Sequence, residues 1–258
     1  MLNRVTITGI DDDTKMSDIV SISKKYPFVE WGLLWSKSNG RPRYPVNETV
    51  SSFFNEIFDD EDCSCSTSLH VCGSFVDDLV NGHFDILPSD INYFQRVQLN
   101  FNNEVKKYCV DDLAKLKDSL YRNFGLNVIF QYNENNKQII KELLEENNYF
   151  FELDSFNILQ DSSGGKGLFN NEWFPSFSRD YSYEDDDGIT HYTSDDIYTG
   201  YAGGLNPDNV EKELNHICKI NFNNFWIDVE TGVRTDNKLD FNKIVNFLFK
   251  SKAFIKYK

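Results

Sequence analysis

No apolar run in this 258-residue chain approaches the roughly 18 residues that a membrane-crossing helix requires. The opening stretch, MLNRVTITGIDDDTK, carries an apolar segment too short and too threonine-rich for a secretory leader. Cysteine is scarce and odd in number: five thiols, Cys63, Cys65, Cys72, Cys109 and Cys218, are spread unevenly over a chain too long to need staples. Free thiols in a reducing cytoplasm are the expectation. Basic residues are outnumbered 26 to 41, for a formal charge of −15, which excludes a binder of nucleic-acid polymers because neutralising phosphates takes a basic surface. A single small phosphorylated ligand is not excluded, since backbone N–H groups and one or two cations can hold it. No repeat or low-complexity tract is visible. The hydrophobic share of 40%, with 15% aromatic residues, supplies a bulky core and rules out global disorder.

The core-forming residues fall into a regular order. Short β-rich apolar runs at 4–10, 28–35, 68–72, 94–101, 126–132, 150–159, 197–202 and 225–229 alternate with amphipathic stretches at 15–25, 48–58, 75–80, 111–123, 135–146, 208–217 and 241–249. Ile139, Leu143 and Leu144 share one stripe, as on a helix lying against a sheet. Asn206-Pro207 supplies a start signal for the helix near 208. Alternating strands and helices imply βαβ units and a parallel sheet, and eight strands in this length predict a single (β/α)8 barrel, a TIM barrel, over 1–258. The sixth crossover departs from the rule. Residues 170–196 run through YSYEDDDGITHYTSDD without helical period, which predicts an irregular acidic loop or lid in place of most of helix six.

Glycine recurs where three of the runs end: Gly164-Gly165-Lys166-Gly167, Gly203-Gly204 and Thr231-Gly232. Glycine lets the main chain approach a ligand closely and turn N–H groups toward an anion, and loops after the last barrel strands are a recurring phosphate site.

YAGGLNPDNV (201–210) followed by WIDVETGVR (226–234) resembles the C-terminal signature of phosphoribosylanthranilate isomerase, an A/S-G-G-L-x-P-x-N-V turn ahead of D-V-x-S-G-V-E. Upstream, LQDSSGGKGLF (159–169), RVQLNF (96–101), GRPRYP (40–45) and VTITGI (5–10) are similar, in the same order, to the family's L-L-D-S…G-G-T-G, V-Q-L-H-G, S-P-R-Y and K-I-C-G-I segments. The resemblance implies a ribulose-phosphate-binding barrel that needs no cofactor or metal. Its phosphate would lie on Gly164, Gly165, Lys166, Gly203, Gly204, Thr231 and Gly232. Arg43 would meet the carboxylate of an anthranilate-like group, Asp228 the sugar hydroxyls, and Asp161 would be the general acid of an Amadori rearrangement from aldose-amine to ketose-amine.

Three positions differ from the pattern. Thr8 stands where the family has its cysteine base, Asn100 where it has a histidine in the substrate mouth, and Glu230 at the x of D-V-x-S-G-V-E, beside the phosphate, where the family usually has a first serine. An unassisted threonine hydroxyl is far less acidic than a thiol, so ordinary turnover needs a substitute base. Strand alternation puts His70 and Cys72 of SLHVCG on the interior face near its active end, with Thr6, Thr8, Arg96, Gln98 and Asn100. His70 or Cys72 could serve as that base, or simply fill the interior. Cys63, Cys65, His70 and Cys72 are too closely spaced for the usual paired zinc set. Phe28, Trp31 and Trp35 read as packing, with Trp35 nearest the strand end as a candidate stacking ring, and Arg41 and Arg43 suit a planar anion. Two functions from different classes remain beside the isomerase: a non-catalytic module that binds, sequesters or senses a nucleotide-like phosphorylated metabolite, and a protein-interaction scaffold with a vestigial pocket. The sequence leaves oligomeric state open.

Overall fold

The computed structural model describes residues 1–101, 108–145, 156–161, 163, 172–184 and 189–256. Eight parallel strands close into a barrel: β1 (Leu2–Thr8), β2 (Val29–Trp35), β3 (Ser66–Cys72), β4 (Arg96–Asn100), β5 (Asn127–Tyr132), β6 (Phe156–Asp161), β9 (Thr199–Ala202) and β10 (Phe225–Val229). Each pairs with its neighbours in that order and β10 closes on β1, with Thr6 opposite both Glu30 and Asp228. Strands such as VEWGLLW are buried at every position because both faces are covered, by helices outside and by side chains within.

Among the described residues seven α-helices form the outer layer: α1 (Met16–Lys25), α2 (Asn47–Phe58), α3 (Ser74–Val80), α4 (Val110–Phe124), α5 (Lys137–Glu145), α6 (Val210–Ile220) and α7 (Phe241–Lys252). Each buries one stripe, as α5 does with Ile139, Ile140 and Leu143. Trp31 and Trp35 belong to this outer layer. Their indole N–H groups donate to Ser23 Oγ (2.9 Å) and to the Ile86 carbonyl (2.7 Å), so Trp35 is wall packing and offers the barrel mouth no stacking ring. The start of α6 lies two residues beyond the expected one. Asn206 Oδ1 accepts the N–H groups of Asp208 (2.8 Å) and Asn209 (3.2 Å), so the Asn-Pro signal builds a turn first and the helix begins at Val210.

In the sixth crossover no helix occurs among the described residues. An antiparallel hairpin stands there, β7 (Ser178–Glu184) paired with β8 (Thr190–Asp196) from Ser178 opposite Asp196 to Glu184 opposite Thr190. The excursion is therefore not irregular at its base: β8 alternates exposed and half-buried positions, a period of two inside a run too polar to stand out as a strand. A second small hairpin, β11 (Arg234–Thr235) with β12 (Lys238–Leu239), follows β10, and its turn residues Asp236 and Asn237 have φ of 48° and 65°, the sign of a primed hairpin turn.

The barrel interior has two levels. Around the N-terminal halves of the strands, Glu30 accepts from Arg96 Nε (2.9 Å), Arg4 Nη1 (2.9 Å) and Thr6 Oγ1 (2.8 Å), and the Arg96 guanidinium lies 4.4 Å from the centre of the Trp226 ring. Arg96 and Glu30 are completely buried, and the pairing holds the Glu30 carboxyl down to about 2 against the opposing effect of burial. Trp226 fits across this floor because β9 offers Gly200 opposite it; a Cβ there would overlap the indole. Thr6 and Arg96 are thus part of the floor and not of the mouth. Ile129, Leu159 and Ala202 pack on the same indole.

Candidate functional site

Above the floor the C-terminal ends of the strands open into a cavity of about 410 Å³, within the range of small-ligand sites. Thr8, Arg43, His70, Cys72, Asn100, Asp161, Gly203, Gly204, Asp228, Thr231 and Gly232 all line it. Gly164, Gly165 and Lys166 lie outside the described residues.

On one side of the rim the loops after β9 and β10 meet. Gly203 and Gly204 have φ of 110° and 70°, a backbone that L side chains rarely adopt. The Gly204 carbonyl is fixed by Asn206 Nδ2 (3.2 Å) and Asn209 Nδ2 (3.0 Å). Gly232 packs its Cα against the Leu205 carbonyl so closely that any Cβ would collide with it. The two glycine turns are therefore one continuous backbone surface.

The opposite side and the bottom of the cavity are polar side chains. Thr8 donates to Asp228 Oδ1 (2.7 Å), and Asp161 Oδ1 accepts Ser163 Oγ (2.7 Å) and its backbone N–H (3.0 Å). Burial pushes the Asp228 carboxyl up to about 8, with Glu230, Glu30 and Asp161 adding to the rise and the Thr8 hydroxyl opposing it. His70 Nε2 is 3.0 Å from Ser68 Oγ. Burial lowers its imidazole to about 4, so the ring is neutral at pH 7. Burial also raises the Cys72 thiol to about 12, the Asn100 amide (3.3 Å from Sγ) opposing, which keeps Cys72 from ionising near neutrality. Of the two candidate bases, Cys72 is held as the neutral thiol, and His70 is a neutral imidazole whose lowered value makes it a weak base. Among the described residues no three His, Cys, Asp or Glu side chains gather as a metal set.

Arg43 enters the cavity from the β2–α2 loop on a backbone with φ of 78°, its N–H held by Asp11 Oδ2 (3.3 Å). Its Nη1 donates to Glu230 Oε1 (2.8 Å) and its Nε to the Asn237 side chain. Behind it the buried Arg234 donates to Asp11 Oδ2 (2.7 Å), to the Gly9 carbonyl (2.7 Å) and to the Asn237 carbonyl. Asp11, Arg234 and Asn237 thus tie the loops after β1, β2 and β10 together, and Gln98 and Gln131 join the lining. Sequence reading missed Asp11, Arg234 and Asn237 as site supports. The one available signal is Asp236-Asn237 between two short β pairs, which marks the primed turn that delivers Asn237.

A closed parallel eight-stranded barrel with a polar cup at its C-terminal end defines the class: a single-domain TIM barrel. The family model described as N-(5'phosphoribosyl)anthranilate (PRA) isomerase matches residues 136–250, a little under half of the chain. Over those residues the chain is similar to that family. Its fold is shared with the Thermotoga maritima phosphoribosylanthranilate isomerase (TM-score 0.58, 17% identity, 98% of this chain and 100% of that one). It is shared also with the Pyrococcus furiosus enzyme (TM-score 0.55, 16% identity, 97% and 98%). A third similar structure, a phosphoribosylanthranilate isomerase in complex with reduced 1-(o-carboxyphenylamino)-1-deoxyribulose 5-phosphate, has a TM-score of 0.55 at 17% identity, covering 98% of this chain and all of the other. No curated protein matches the sequence.

Proposed function

We propose that this barrel binds a small phosphorylated ribosyl compound across its C-terminal mouth. The observation that carries the reading is the contact between the Gly203-Gly204 and Thr231-Gly232 turns, which makes one backbone surface on the rim of a cavity otherwise lined by carboxyl, amide and hydroxyl groups. The phosphate sits on those turns, as in the family the sequence resembles. Asp228, protonated at neutral pH and already accepting from Thr8, offers both a donor and an acceptor, which suits the vicinal hydroxyls of a ribose or ribulose. Asn100 and Arg43 face the other end of the ligand.

A second reading, Amadori-type isomerisation, rests on Asp161 and His70 lining the same cavity, the ring being neutral but weakened as a base by its burial. Asp161 protonates the ring oxygen of the aldose-amine and His70 removes the C2′ proton, in place of the thiolate that Thr8 cannot supply and that the protonated Cys72 does not.

Native mass spectrometry of the purified protein, followed by titration with ribulose 5-phosphate, tests the binding reading. A bound or co-purified phosphoribosyl compound is expected, with affinity lost in Gly232→Ala, whose Cβ displaces the turn. Absence of any such complex overturns it. Turnover of phosphoribosylanthranilate that is lost in His70→Ala at unchanged ligand affinity supports the isomerase; turnover unaffected by that change removes His70 from the chemistry.

A further inference from the structure

Asp161, Asp228 and Glu230 line the cavity with three carboxyl groups, against the one guanidinium of Arg43 among the described residues. That guanidinium is already engaged: Glu230 Oε1 lies 2.8 Å from Nη1, and Asn237 takes Nε. The pairing is not a loose surface contact. Arg43 is held in a left-handed backbone conformation by Asp11, and both it and Glu230 are partly buried in the mouth. Non-glycine residues persist in such conformations where the surroundings over-determine them. Burial together with Asp161 raises the Glu230 carboxyl, with Arg43 and Arg234 opposing. Gln98 adds a further acceptor, its Oε1 buried at the cavity wall without a hydrogen-bond partner while its Nε2 donates to Asn100 Oδ1 (2.8 Å). A buried acceptor left unpaired costs free energy that a ligand donor would recover.

Resting on the phosphoribosyl reading, we infer that Glu230 occupies the place of a ligand carboxylate at Arg43, so that the ligand's non-phosphate end carries nitrogen donors, uncharged or cationic, and no carboxylate. A carboxylate brought to Arg43 must displace Glu230 or share the guanidinium with it, and in either case lies beside it, where like charges disfavour binding. An amide or amine meets Glu230, Asp161 and Gln98 as acceptors.

The test compares two compounds on the intact protein by titration calorimetry: reduced 1-(o-carboxyphenylamino)-1-deoxyribulose 5-phosphate and its carboxamide counterpart, which differ only in replacing the carboxylate by CONH2. The wild type is expected to bind the carboxamide about tenfold more tightly or better, the factor that 1.4 kcal/mol corresponds to. Glu230→Gln keeps a hydrogen-bond acceptor for Arg43, removes the charge and should reverse or erase that preference. Equal or tighter binding of the carboxylate by the wild type overturns the inference and leaves the phosphoribosyl reading standing. An unchanged preference in a folded Glu230→Gln protein overturns the assignment to Glu230. Binding of neither compound, nor of ribulose 5-phosphate, overturns both.

Discussion

Asp228 should make the unliganded protein less stable as the pH rises from 6.5 to 8. The side chain is 8% exposed and its carboxyl is held up to about 8, against 3.8 as an ordinary aspartate. Between those values the folded chain keeps a proton that the unfolded chain gives up, so stability falls with pH by about 1.4 kcal/mol per unit well below the folded value. The slope tapers to half at pH 8, and the loss from 6.5 to 8 comes to about 1.5 kcal/mol. His70 acts mostly below this window: its folded value of about 4 lies below the ordinary 6.5, so it takes stability away as pH falls through 6.5, and the small part that reaches above 6.5 is of opposite sign to Asp228 and unchanged in Asp228→Asn. The Met1 amine, lowered from 8.0 by burial, acts inside the window with the opposite sign, stability rising as pH rises. It is unchanged in Asp228→Asn, so the difference between the two proteins isolates the carboxyl. Urea unfolding followed by tryptophan fluorescence at pH 6.5 and 8, at one ionic strength, measures it. If wild type and Asp228→Asn lose the same stability over that step, the carboxyl is not held protonated and the reasoning is refuted.

Two further outcomes follow from the packing. Gly200→Ala drives a methyl group into the Trp226 indole on the barrel floor and should cost roughly 3 kcal/mol, read as a lowered urea midpoint; a change within 0.5 kcal/mol would mean that the floor can give way. Arg234→Ala strands the buried Asp11 carboxylate and frees the Gly9 carbonyl, for a loss of about 3–5 kcal/mol in the same assay. Because Asp11 also holds the Arg43 N–H, affinity for ribulose 5-phosphate should weaken in that variant even where it remains folded.

The barrel was legible because its cause is a repeated local pattern. A strand covered on both faces reads as a dense apolar run, and each helix buries a single stripe, so eight runs and seven stripes stand out without any knowledge of contacts. Interior positions followed from alternation, which placed Thr8, His70, Cys72 and Asn100 on one wall of the cavity. Alternation says which face a residue takes but not how deep it lies. Arg96 therefore read as a mouth residue, whereas its partner Glu30 sits in a strand that looks wholly apolar on either side. The β7–β8 hairpin escaped for the reverse reason, since its period-two signal is carried by Asp, Ser, Thr and Tyr with little burial behind it. The Asp11–Arg234 and Arg43–Glu230 pairs join residues 223 and 187 positions apart, and no local pattern encodes such a partner.

The floor formed by Glu30, Arg96, Arg4 and Trp226 pairs its charges within itself, and among the described residues no hydrogen bond joins it to the rim of the cup. A barrel so bolted at the base lets its rim be rewritten one residue at a time. That independence is how a chain only 17% identical to the Thermotoga maritima isomerase can trace its barrel from end to end while presenting a different set of groups to whatever enters it. In this architecture specificity is free to drift while the scaffold stands still.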